Sequence, residues 1–213
     1  MFDELIERAK AYVKEKFENE YSGHDYFHTL RVFNTATHIA NLEGASVTIV
    51  GLAALLHDVD DRKTSPDTYE SQANAREFLS SNGVEQDKTE LICGIIREIS
   101  FGSGACAPST LEGECVQDAD RLDAIGAIGI GRAFAYGGSH NRHMHHPDVN
   151  PNLNMTKEEY MASESTTINH FYEKLFKLTA LMNTQTAIQI AKVREAYMKD
   201  FVVEFLAEWD GKL

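Results

Sequence analysis

The chain has 213 residues, 43% hydrophobic and 25% charged, which argues against extensive disorder and leaves enough apolar mass to fold without disulfide or metal staples. A net charge of -13, from 20 basic and 33 acidic residues, argues against a broad basic surface and so against nucleic acid as a general partner. The opening MFDELIERAKAYVKEKF carries acidic residues at once, and no run of about twenty uncharged apolar residues occurs, so the reading is a cytoplasmic protein with no membrane partner.

In chain order, Phe2, Leu5, Ile6, Ala9, Val13 and Phe17 recur at helical spacing and predict a first amphipathic helix. The stretch SGHDYFHTLRV places His24, His28 and Arg31 four and three residues apart, along one face of a helix start that Leu30, Phe33, Ala36, Ile39 and Ala40 continue. Residues 46–57 are apolar on every side; periodicity leaves helix and strand open, and the helical context favours helix.

That apolar run ends in His57, Asp58, Asp60 and Asp61. Burying an unpaired carboxylate costs several kcal/mol, so something must compensate. A divalent cation would, since imidazole and carboxylate both ligate one once deprotonated; a cap or surface pair at a loop mouth is the plainer alternative.

Further helical periods run over 67–83, 85–99, 113–138, 156–182 and 184–209, with Gly83 as a C-terminal cap and Thr156 with Glu159 spaced as a capping box. Asp120 and Asp123 stand one turn apart at the head of the apolar segment AIGAIGIG. The prolines, Pro66, Pro108, Pro147 and Pro151, fall in stretches that read as loops, near 58–67, 100–112 and 137–156. Alternating strand patterns are missing. The reading is an all-α, single-domain bundle of about eight helices. Three of them each present acids or imidazoles at an apolar boundary, as ligands in a bundle do. Cys93, Cys106 and Cys115 lack CxxC spacing and read as unpaired thiols in a reducing compartment.

With these residues in view, the sequence resembles the HD superfamily of metal-dependent phosphohydrolases, whose pattern is a His, a His-Asp doublet and a distant Asp. His28 in HDYFHTLRV, His57 and Asp58 in LLHDVDD, and Asp120 in DADRLDAIGAIGIGR match it in order. The tail HFYEKLFKLTALMNTQTA is similar to a bacterial branch that includes nucleotide pyrophosphohydrolases. The resemblance implies one HD-type domain over 1–213, with core motifs in 24–123 and C-terminal helices in 157–210 completing the bundle.

It further implies that His28, His57, Asp58 and Asp120 hold one divalent metal. Mixed nitrogen and oxygen ligation puts Mn first, with Fe, Ni, Co or Mg as alternatives. Asp118, Asp120 and Asp123 crowd one segment; the ADRL register selects Asp120 as the ligand and leaves Asp123 to orient a ligand His or bind substrate. Asp61 takes the general-base role. Arg31 and Lys63 neutralise phosphate charge and His24 donates to it, while Arg62 reads better as a solvated residue.

The implied activity is hydrolysis of nucleoside or deoxynucleoside triphosphates to monophosphate and pyrophosphate through a metal-activated water. An idle nucleotide- or partner-binding helical module with a structural metal is the alternative. A di-iron oxygenase is disfavoured, since no histidine lies between Asp58 and Asp120.

Other signals are set aside. His140, His143, His145 and His146 lie in a Gly/Pro/Asn-rich stretch that reads as a mobile loop near the site rather than a metal centre. Gly126, Gly129 and Gly131 follow no strand and read as close helix packing. His38 and His170 read as packed histidines. Met182, Met198, Phe201, Phe205 and Trp209 leave core and second-subunit contact equally open, so a homodimer is compatible with the pattern.

Overall fold

Among the described residues every regular element is helical. The computed structural model describes residues 2–18, 25–62, 65–99, 107–154 and 165–212. Among these residues nine α-helices follow in order: α1 (Phe2–Lys16), α2 (Tyr26–Glu43), α3 (Val47–Leu56), α4 (Ala73–Ser81), α5 (Gln86–Ile99), α6 (Leu111–Asp123), α7 (Gly126–Ser139), α8 (Thr167–Glu173) and α9 (Gln185–Trp209). A 3-10 segment, Leu175–Leu181, lies between α8 and α9. The chain divides into two compact units, Met1–Asp120 with Asn183–Ala187, and Arg121–Met182 with Ile188–Leu213. No helix of the described residues is long and apolar enough to cross a membrane.

In the first unit α3 is the central element. All eight residues from Ile49 to Leu56 are buried, and α3 packs on α1, α2 and α5. Gly51 allows that approach: a Cβ there would stand 3.1 Å from the Phe33 ring and 3.3 Å from Ile6 Cδ1. Helix α2 starts at Asp25, whose carboxylate accepts from His28 N at 2.7 Å, and stops at Gly44 in the left-handed region. The helix expected from residue 67 begins only at Ala73. The chain turns until there because Asp60, buried behind α3, caps α4: its carboxylate accepts from Asn74 N at 3.1 Å and Ala75 N at 2.9 Å. Gly83 ends α4 as expected, at φ +73°, with Val84 N donating back to Leu79 O.

The single helix expected over 113–138 proves to be two. Ile125 is extended and Gly126 takes φ +78°, so α6 stops at Asp123 and α7 starts afresh. Of the helix expected over 156–182, the described part, from residue 165 on, holds α8 and the 3-10 segment, separated at Lys174; the Thr156–Glu159 capping box lies outside the described residues. In the second unit Phe134, Phe201 and Phe205 cluster around the buried Phe171, with Trp209 stacked on Phe205. Met198 is fully buried. Of the tail residues left open between core and partner, Met182 and Met198 are thus buried while Trp209 is exposed, and Val193, Tyr197 and Val203 are further exposed apolar residues of α9.

Candidate metal centre

Two imidazoles and two carboxylates converge in the first unit. His28 projects from the first turn of α2, His57 and Asp58 from the end of α3, and Asp120 from α6. His28 Nε2 lies 3.4 Å from Asp120 Oδ1 and 3.6 Å from Asp58 Oδ2, and His57 Nε2 lies 3.2 Å from Asp58 Oδ2. Ligand atoms of His28, His57 and Asp120 all fall within 4.8 Å of one another, the one such His/Cys/Asp/Glu group among the described residues. The His28, His57 and Asp58 side chains are 1%, 6% and 10% exposed, and Asp120 is 32% exposed, so the cluster opens toward solvent on the Asp120 side.

The tautomer of His57 follows from its neighbours. Nδ1 sits 2.8 Å from Ala54 O, and a carbonyl only accepts, so Nδ1 carries the hydrogen. In the neutral ring Nε2 then offers a lone pair to the cluster; it is buried, makes no well-aligned hydrogen bond, and faces the Asp58 carboxylate at 3.2 Å. A buried polar atom without a well-aligned hydrogen bond calls for an explanation. Donors bound about 2.1 Å from one cation stand roughly 3 to 3.5 Å apart, close to the separations here, so the donor set fits a divalent metal. Without a cation, burial pushes the His57 imidazole down, and the Asp58 and Asp120 carboxylates outweigh it, raising it to about 9.

The three aspartates of α6 go separate ways. Asp118 is fully buried and accepts from Thr184 N and Oγ1, each at 2.8 Å. Asp120 faces His28. Asp123, in the second unit, pairs with Arg132 Nη1 at 2.5 Å, a partner for which the sequence reading had no signal. Asp61 follows one turn after His57, its amide donating to Asp58 O at 3.0 Å. Arg31 is half-buried three residues after His28 on α2, and Arg62 is exposed. His24 and Lys63 lie outside the described residues, as does Cys106. Cys93 and Cys115 are buried and free.

The histidine-rich stretch, read from the sequence as a mobile loop, makes specific contacts. Thr167 N and Ile168 N donate to His143 O and Met144 O at 3.0 and 2.9 Å, His140 stacks on Tyr136, and His145 packs edge-on against Trp209. His170 is packed rather than placed for chemistry; burial, then Lys174 and Arg142, lower it to about 4.

Residues 25–125, from the cap of α2 to the start of α7, match the HD domain family. The chain belongs to the HD superfamily, a family of metal-dependent phosphohydrolases. An HD-superfamily hydrolase from Bacillus thuringiensis is 38% identical over 99% of each chain, with a TM-score of 0.79. A protein from Lactobacillus plantarum is 41% identical over 97% of each chain, with a TM-score of 0.80. YpgQ of Bacillus subtilis, solved in complex with ADP, is 31% identical over 95% of this chain and 96% of that one, with a TM-score of 0.75.

Proposed function

We propose that the chain hydrolyses nucleoside or deoxynucleoside triphosphates to monophosphate and pyrophosphate, with His28, His57, Asp58 and Asp120 holding one divalent metal, Mn first. The observation that carries the metal part is the convergence of the buried His57 Nε2 with the His28 imidazole and the Asp58 and Asp120 carboxylates. The nucleotide part is supported by the ADP complex of the relative YpgQ.

When bound, the cation supplies positive charge against phosphoryl oxygens and acidifies water. The chain's residues divide the remaining work. Ala54 O fixes the His57 ring by its hydrogen bond to Nδ1, so Nε2 stays aimed at the centre. Asp61 accepts the proton of the attacking water at its carboxylate, as a base one turn beyond the ligand doublet. Arg31, with Lys63 and His24, offsets phosphate charge. Asp123 enters through its pair with Arg132. The whole chain, 1–213, works as one HD-type domain in the cytoplasm in this reading.

The test is a product analysis. Metal-stripped protein reloaded with Mn is incubated with a panel of nucleoside and deoxynucleoside mono- and triphosphates, with Asp58→Ala in parallel. Monophosphate plus pyrophosphate from triphosphates, lost in the variant, is the expected result. Release of inorganic phosphate alone, or no turnover of any nucleotide, would refute the pyrophosphohydrolase reading.

A further inference from the structure

Two carboxylates that take no part in the centre meet at the first turn of α9. Asp118, fully buried, accepts from Asn183 N at 2.9 Å, Asn183 Nδ2 at 2.9 Å, and Thr184 N and Oγ1 at 2.8 Å each. Glu43, in the last turn of α2, accepts from Thr186 N at 2.7 Å. Thr184 caps α9, its Oγ1 accepting from Ala187 N at 3.2 Å. The first amides of a helix have no acceptor within it and carry partial positive charge, so carboxylates are favoured partners there. Burial first, then Asp118 and Glu43, push the Cys115 thiol up to about 12, as expected where two anions crowd one buried face.

The helices that supply these carboxylates are α2 and α6, and the same two helices carry His28 and Asp120. All of these residues belong to one compact unit. Asp118 and Asp120, two residues apart, project about 200° apart around α6. The bonds at Asp118 therefore pin the helix on the side away from Asp120 and oppose its rotation about its own axis. Glu43 ties the far end of α2 to the same turn of α9.

We infer that Asp118, Thr184 and Glu43 form a brace that positions the metal centre, setting α6 against α2 so that Asp120 Oδ1 stays 3.4 Å from His28 Nε2. The inference rests on the metal-centre reading above. Asp118 and Thr184 are positioning residues, acting through Asp120.

The experiment is Mn binding to the metal-stripped full-length protein by titration calorimetry, alongside thermal melting. The variants are Thr184→Val, Thr184→Ser, Asp118→Asn and Glu43→Gln. Ile92→Val, in the buried face of α5, is the control for general destabilisation. Thr184→Val should weaken Mn binding about 10-fold, the lower end of what losing an outer partner of a metal ligand costs. Thr184→Ser, which keeps the hydroxyl, should restore it, and Ile92→Val should melt earlier with Mn affinity unchanged. Wild-type affinity in Thr184→Val with a lowered melting temperature would overturn the inference, leaving the brace a stabilising cap. Should Asp118→Asn fail to fold, Thr184→Val and Glu43→Gln carry the comparison. Failure of the wild type to bind any divalent metal would instead refute the metal-centre reading itself.

Discussion

His57 Nε2 stands 3.2 Å from Asp58 Oδ2, the carboxylate of the next residue, while the opposite ring nitrogen donates to Ala54 O. This geometry makes the centre a proton store when no cation is bound. Burial works against the imidazolium, and Asp58 and Asp120 outweigh it, so the folded chain keeps the His57 proton up to about pH 9 against an ordinary value of 6.5.

The metal-free protein is therefore predicted to lose stability between about pH 6.5 and 9. Below 6.5 both folded and unfolded chains carry the proton and the contribution is complete. Inside the window only the folded chain does, so stability falls as pH rises, and above 9 the contribution is gone. It is on the order of 3 kcal/mol, since one pKa unit corresponds to about 1.4 kcal/mol. Metal affinity runs the other way, rising through the window with release of a proton on binding. Melting curves of chelator-treated protein, with His57→Gln beside it, check the first part; the same slope in both would contradict it.

Asp60 belongs to the packet of acids after α3, yet its oxygens are taken up by Asn74 and Ala75 at the start of α4. Asp60→Ala is predicted to cost about 1 to 3 kcal/mol, from a lost cap and orphaned amides. Urea unfolding measures this. A midpoint matching the wild type would show that α4 does not depend on the cap.

Asp123, only 5% exposed, pairs with the half-buried Arg132. Asp123→Asn is predicted to destabilise by roughly 1 to 3 kcal/mol, as for a hydrogen bond to a charged group. A double-mutant cycle with Arg132→Gln should return a coupling of about 1 kcal/mol. A coupling of zero would mean the two side chains do not stabilise each other.

The four converging residues were legible because their chemistry conflicts with their setting. His57 and Asp58 end a run apolar on every side, and His28 and Asp120 repeat the pattern at two other helix boundaries. What was not legible depends on partners distant in sequence. Nothing near Asp118 announces that Asn183 and Thr184, some 65 residues on, will claim its carboxylate. The same holds for Asp60, whose partner Asn74 lies 14 residues ahead and delays the start of α4. The break between α6 and α7 was hidden because Ile125 continues the apolar pattern, and only the positive φ of Gly126 reveals the turn.

The central claim is that one cation held by these residues is needed for phosphohydrolysis. The most direct measurement is metal content against turnover: Mn bound per chain by equilibrium dialysis, with triphosphate hydrolysis assayed on the same samples, for wild type and His57→Ala. The account predicts one Mn per wild-type chain, and loss of metal and turnover together in the variant while its helical signal is retained. Turnover persisting in His57→Ala, or hydrolysis by wild-type protein that holds no metal, would contradict it.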